Sequence, residues 1–179
     1  PLSSAEAWTP LGDGLNGGAW VIAVAGPDVY VGGAFTNAGG IDEADYIARW
    51  DGMSWHALGD GLNGPIFAIA VVGRNVYVGG LFSDAGAKPL ADNIARWDGD
   101  HWYALGSGLD NRVIDIAVVG QDLYVGGDFT HTGSGNTIEY VARWDGDYWH
   151  SVGNGLNGAV LDIAIAGSDI FLGGEFTEV

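Results

Sequence analysis

One stretch of this chain returns at a fixed interval. Val29-Tyr-Val-Gly-Gly-Ala-Phe-Thr36 recurs as Val76-Tyr-Val-Gly-Gly-Leu-Phe-Ser83, as Leu123-Tyr-Val-Gly-Gly-Asp-Phe-Thr130 and as Ile170-Phe-Leu-Gly-Gly-Glu-Phe-Thr177. The aromatic positions Tyr30, Tyr77, Tyr124 and Phe171 stand 47 residues apart each time, with no insertion or deletion. A constant period of this size makes each copy one supersecondary unit, and the fold must be built by repeating it.

The rest of each copy reads as short strands. Trp8, Trp55, Trp102 and Trp149 each open a segment that runs into a Gly-x-Gly-Leu loop. An apolar run without helical periodicity follows, such as Val21-Ile-Ala-Val-Ala25 or Ile66-Phe-Ala-Ile-Ala-Val-Val72. Runs of this length, rich in Val and Ile and bounded by Gly, are strands buried on both faces. A tight turn (Gly26-Pro-Asp28, Gly73-Arg-Asn75, Gly120-Gln-Asp122, Gly167-Ser-Asp169) leads into the Tyr-Val-Gly-Gly strand. A longer variable loop then reaches Ala48-Arg-Trp-Asp-Gly52 and its copies, and Asp-Gly turns the chain into the next Trp strand. Each period therefore holds four antiparallel strands and no helix.

Repeated four-stranded units of this length are β-propeller blades. The expected fold is an all-β propeller in one domain, residues 1–179, with repeats at about 8–54, 55–101, 102–148 and 149–179 plus 1–7. The Ile-Ala-Val run is expected innermost, where small residues suit a crowded axis. The Tyr-Val-Gly-Gly, Ala-Arg-Trp and Trp-x-x-Leu-Gly strands follow outward. The order Ile94-Ala-Arg-Trp-Asp-Gly99, then Trp102-Tyr-Ala-Leu-Gly-Ser-Gly-Leu109, then Leu123-Tyr-Val-Gly-Gly-Asp-Phe-Thr130 resembles the repeats of bacterial secreted kelch-like propellers. Fungal cortical cell-polarity markers carry similar ones. The resemblance runs from Trp8 to Thr177. It implies an extracellular or periplasmic location, and the shared positions are architectural, so it carries over no catalytic residue.

The copies leave the ring size open. Residues 1–7 align with positions 48–54, and equivalents of Gly39 to Ser54 do not follow Val179. The N-terminus is expected to supply the outermost strand of the last blade. Either one chain closes as a four-bladed ring, or the four blades are half of an eight-bladed ring made by a homodimer or a longer parent. The start at Pro1 suggests a mature or excised segment.

Composition narrows the partners. A net charge of −17, with only 6 Lys plus Arg, argues against nucleic acid and against anionic membrane surfaces. With no Cys, thiolate metal sites, disulfides and cysteine nucleophiles are excluded. No cofactor motif is present: the Gly-Asp-Gly-Leu-Asn-Gly string is followed by no helix and is not a phosphate loop.

Few residues escape a structural duty. Arg49, Arg96 and Arg143 read either as an anion-binding ring or, preferably, as a repeated lock under a Trp, pairing with a nearby Asp. Asp13, Asp60, Ser107 and Asn154 read as turn residues or as a ring of oxygen ligands. Asp115 and Asp162 interrupt the inner strand where the first copies have Ala68 and Ala23 nearby. Channel carboxylates of that kind could serve a glycan hydrolase or lyase. The expected ligand face is the one carrying the long loops, with Asp42, Glu43, Asp45, Asp84, Asp92, Asp128, Glu139 and Glu175. The reading that follows is a non-enzymatic propeller that binds protein or glycan through that face, with no metal and no cofactor.

Overall fold

The computed structural model describes residues 8–178. The expected contribution of residues 1–7 to the last blade lies outside the described residues. Blade one is formed by β1 (Ala19–Ala25), β2 (Asp28–Gly33), β3 (Ile47–Trp50) and β4 (Trp55–His56). Blade two is β5 (Ile66–Val72), β6 (Asn75–Gly80), β7 (Ile94–Trp97) and β8 (Trp102–Ala104), and blade three is β9 (Val113–Val119), β10 (Asp122–Gly127), β11 (Val141–Trp144) and β12 (Trp149–Ser151). The fourth consists of β13 (Val160–Ala166) and β14 (Asp169–Gly174). The strands pair in sequence order and antiparallel throughout, as the turn residues require. A three-residue 3-10 turn at Ala85–Ala87, with Gly86 left-handed, departs from the all-strand expectation. It lies in the variable loop of blade two and breaks no strand.

Successive blades stack through the apolar strands. β1 packs on β5, β5 on β9, and β9 on β13, and no comparable packing joins β13 to β1 among the described residues. The fold is an all-β propeller of four blades. Trp8 is fully exposed.

The double glycine explains how blades approach. Gly32, Gly79 and Gly126 are buried, and the residue seated over each comes from the next blade's inner strand: Ile66, Val113 and Val160. A Cβ on Gly32 would stand 2.7 Å from Ile66 Cγ2, and one on Gly126 2.5 Å from Val160 Cγ1. Those distances are inside van der Waals contact, so the strand must present bare backbone. Each inner strand also carries a bulge at the same place, between Ala19 and Val21, Ile66 and Ala68, Val113 and Asp115, and Val160 and Asp162. A bulge adds twist and re-aims the side chains beside it.

The outer wall is fastened by tryptophan. The indole N–H of Trp55 donates to the Leu11 carbonyl at 2.9 Å, that of Trp102 to Leu58 at 2.8 Å and that of Trp149 to Leu105 at 2.9 Å. Each bond ties an outer strand to the connection that feeds its own blade's inner strand. Trp55, Trp102 and Trp149 also pack on Trp50, Trp97 and Trp144, with ring centroids 5.1 to 5.4 Å apart.

Two outcomes are expected in urea unfolding. Gly79→Ala forces a Cβ into the Val113 side chain and lowers stability by about 1–3 kcal/mol. Trp102→Phe keeps the ring but leaves the buried Leu58 carbonyl without its donor, a loss of about 1–3 kcal/mol.

Candidate functional site

The long loops enter the third strands through a left-handed residue. Tyr46, Asn93 and Tyr140 have φ of 62°, 61° and 67°. For a tyrosine this backbone costs about 1–2 kcal/mol. The cost is offset because each residue clamps the second strand from both sides. Tyr46 N–H donates to the Phe35 carbonyl at 2.9 Å, and its own carbonyl accepts from Gly33 N–H at 3.0 Å. The same pair of bonds recurs at Asn93 and Tyr140. The loops are thus anchored at their C-terminal ends in every blade that has one. Sequence reasoning missed this clamp, since Tyr gives no sign of a positive φ.

A second anchor crosses each loop base. Asn16 Oδ1 accepts the Thr36 N–H at 2.9 Å while its amide donates to Thr36 Oγ1 at 3.2 Å. Asn63 and Ser83, Asp110 and Thr130, and Asn157 and Thr177 repeat this bridge. These residues close the Gly-x-Gly-Leu loop onto the strand end that the double glycine terminates. Both loop families consequently lie on one face, as antiparallel pairing predicts.

The acidic residues of that face do not converge. Asp128 forms an ion pair with Arg112, Nε to Oδ2 at 2.6 Å. Asp92 Oδ1 accepts the Asp84 N–H at 2.9 Å, a bond within its own loop. Asp45 is half-buried, and partial burial followed by the Asp42 and Glu43 charges pushes its carboxyl above the usual range. Glu139 lies against Gly155, and Glu175 is exposed on the last blade. Among the described residues, no three His, Asp or Glu side chains come together in a way that could hold a metal ion. The face instead offers separate shallow dishes. One, about 410 Å3, is lined by Asp60, Asn63, Asp84 and Pro89; another, about 400 Å3, by Glu139, Tyr140, Asn154 and Asn157.

The arginine positions are structural. Arg49 pairs with Asp28 at 3.0 Å, Arg143 with Asp122 at 2.8 Å, and Arg96 donates to Asn75 Oδ1 at 2.8 Å. Each partner begins the second strand, so the bond staples that strand to the third. The guanidinium groups are half-exposed rather than buried under a Trp, and Arg96 instead covers the Tyr103 ring, 4.4 Å from its centroid. Residues alternate across a strand, which sends Arg49 and Trp50 to opposite faces.

Asp115 is held between blades. Its Oδ1 accepts the Ile116 N–H at 2.8 Å and its Oδ2 the Ile163 N–H at 2.6 Å. Burial, the largest influence, pushes its carboxyl up against the pull of those two donors. Both oxygens are therefore engaged in a tie from blade three to blade four. Asp162, its counterpart one repeat later, is exposed.

The Asp-Gly turns hold the other titratable pattern. Asp98 Oδ1 accepts the N–H groups of Asp100 and His101, both at 2.9 Å, and these bonds bring its carboxyl down to about 2. The corresponding backbone bonds at Asp51 and Asp145 also lower those carboxyls, with His56 and His150 adding to the effect. A depressed folded-state value adds stability above the ordinary carboxylate value, and that stability is lost as pH falls toward the folded one. The expected outcome for Asp98→Asn is a flatter dependence of thermal midpoint on pH between 3.8 and about 2. An unchanged slope would assign the acid sensitivity elsewhere.

No family model matches the chain, and no curated protein matches it. Among solved structures, it is similar to the crystal structure of the computationally designed Ika4 protein, at 13% identity and a TM-score of 0.62. That likeness covers 97% of this chain and 99% of the designed one. At this identity it bears on the fold alone.

Proposed function

We propose that the chain is a non-enzymatic binding and scaffolding propeller of the kelch-like type, working outside the cytoplasm and taking a protein or glycan on its long-loop face. One observation carries this reading. The polar residues that recur at every 47 positions are bonded within the chain: Arg to the second-strand start, Asn or Asp across the loop base, Trp to a carbonyl, Asp within its own turn. What differs from blade to blade lies on the loop face, around the two dishes lined by Asp84 and Glu139. Loops held by a rigid scaffold are where proteins vary chemistry without disturbing packing.

Channel-carboxylate hydrolysis has less support. Two carboxylates working as acid and base need a free oxygen each. Asp115 has both of its oxygens in backbone bonds.

The test uses a panel of immobilised glycans and a set of Lys/Arg-rich peptides as probes. A variant carrying Asp60→Ala, Asp84→Ala and Glu139→Ala is expected to lose at least about tenfold in binding to whichever probe the native chain retains, about 1.4 kcal/mol. Its circular dichroism spectrum should be unchanged, although Ala at the positive-φ positions Asp84 and Glu139 lowers its unfolding midpoint slightly. Binding that survives these replacements, or a native chain that binds no probe, overturns the reading.

A further inference from the structure

The six basic side chains of this acidic protein are Arg49, Arg74, Lys88, Arg96, Arg112 and Arg143. Four of the arginines serve the framework. Arg49 pairs with Asp28, Arg112 with Asp128 and Arg143 with Asp122, and Arg96 donates to Asn75. Arg74 is the exception, with no such partner among the described residues. Nor does it belong to the repeat: the equivalent positions hold Pro27, Gln121 and Ser168. No recurring structural duty calls for a guanidinium there.

Arg74 lines a cavity of about 350 Å3 between blades one and two, on the short-turn face. Blade one contributes Asp28, Tyr30 and Arg49, and Leu58 and Trp97 close the other side. These two blades pack on each other through β1 and β5, so the cavity does not depend on what precedes or follows the sequence. Arg74 Nη2 stands 3.3 Å from where a Cβ on Gly99 would be, whereas Gly52 and Gly146, the equivalent glycines, have nothing within 4 Å. The guanidinium is thus laid against the turn that borders the cavity. Only Nη1 of Arg49 is recorded with Asp28, at 3.0 Å, which leaves the other edge of that fork for a ligand. Burial, followed by the Asp28 charge, pushes the Tyr30 phenol up, so it stays a hydroxyl and a donor. Asp28 is the one carboxylate among the lining residues, so two guanidinium groups less one carboxylate leave a charge of +1. Asp98, in the bordering turn, accepts the N–H groups of Asp100 and His101.

We propose that this inter-blade cavity binds a single carboxylate carried on a small apolar or aromatic body. Arg74, Tyr30 and the free edge of Arg49 hold the carboxylate, and Trp97 and Leu58 receive the body. A planar guanidinium matches a carboxylate with two parallel hydrogen bonds, which a lone ammonium does not. The local charge of +1 balances one negative charge. A second would meet the field of a chain whose net charge is −17, so a dianion such as phosphate is disfavoured. Small-molecule sites run from about 300 to 1,000 Å3, and this one, at the low end, suits a single ring. A free acid and the C-terminal residue of a peptide offer the same chemistry. The site lies on the face opposite the long loops, and the inference does not rest on the loop-face binding reading.

The experiment is an NMR titration of the 179-residue chain with benzoate, phenylacetate, benzylamine, inorganic phosphate and acetylglycylphenylalanine. Benzoate or phenylacetate is expected to bind with a dissociation constant in the millimolar range or below, more tightly than phosphate or benzylamine. Arg74→Gln copies the Gln121 of the next blade, so the fold tolerates it, and it should weaken that binding at least about tenfold. Tyr30→Phe should weaken it several-fold. Lys88→Gln removes a cation from a loop on the other face and should leave it unchanged. The peptide binding less tightly than phenylacetate assigns the site to free acids, and binding more tightly assigns it to peptide C-termini, both within the proposed chemistry. No binding of any carboxylate, phosphate binding most tightly, full binding by Arg74→Gln, or an equal loss in Lys88→Gln overturns the proposal.

Discussion

The structure depends on how closely one sheet can approach the next. A bare glycine backbone on the second strand receives a β-branched side chain from the neighbouring blade, three times over, at separations no Cβ could tolerate. That contact sets the spacing at which Tyr30 and Val21 reach the core of blade two, and Ala70 and Tyr77 that of blade three. Farther from the axis, hydrogen bonds add to the burial of Ile47, Ile94, Val141, Trp55 and Trp102. The arginine staples, the tryptophan clasps and the Asn or Asp bridges fix the register of those outer strands.

This division of labour accounts for what the sequence discloses. Strand order, blade boundaries and the common loop face follow from period, apolar runs and turn residues, because those features act within one copy. The arginine pairing is also legible, since an Arg two residues before an Asp-Gly turn on an otherwise apolar strand needs a partner. Two things are not legible. The left-handed conformation of Tyr46 and Tyr140 arises from a clamp whose other half is eleven to thirteen residues away in backbone atoms, which carry no sequence signature. The state of the edges depends on what lies beside them, and identical repeats read the same whether covered or bare.

The acidic face shows the same limit. Eight carboxylates fall on one side of the disc by topology, yet side-chain geometry separates them. Asp128 is neutralised by Arg112, Asp92 supports its own loop, and Asp45 is tucked beside blade two. A linear pattern places residues on a face; it does not say whether they meet. Asp115 is the opposite case, a lone polar break in an apolar run whose role appears only when the Ile163 N–H of the neighbouring blade joins that of Ile116 on its own strand.

The tryptophan clasp has a consequence during synthesis. Each indole finds its carbonyl 44 residues upstream, so a connecting loop emerges from the ribosome long before the ring that will latch it. Nascent copies must wait, inner hairpin formed and rim loose, until the following tryptophan is extruded. Maturation is thus directional, with each turn of translation sealing the unit made just before.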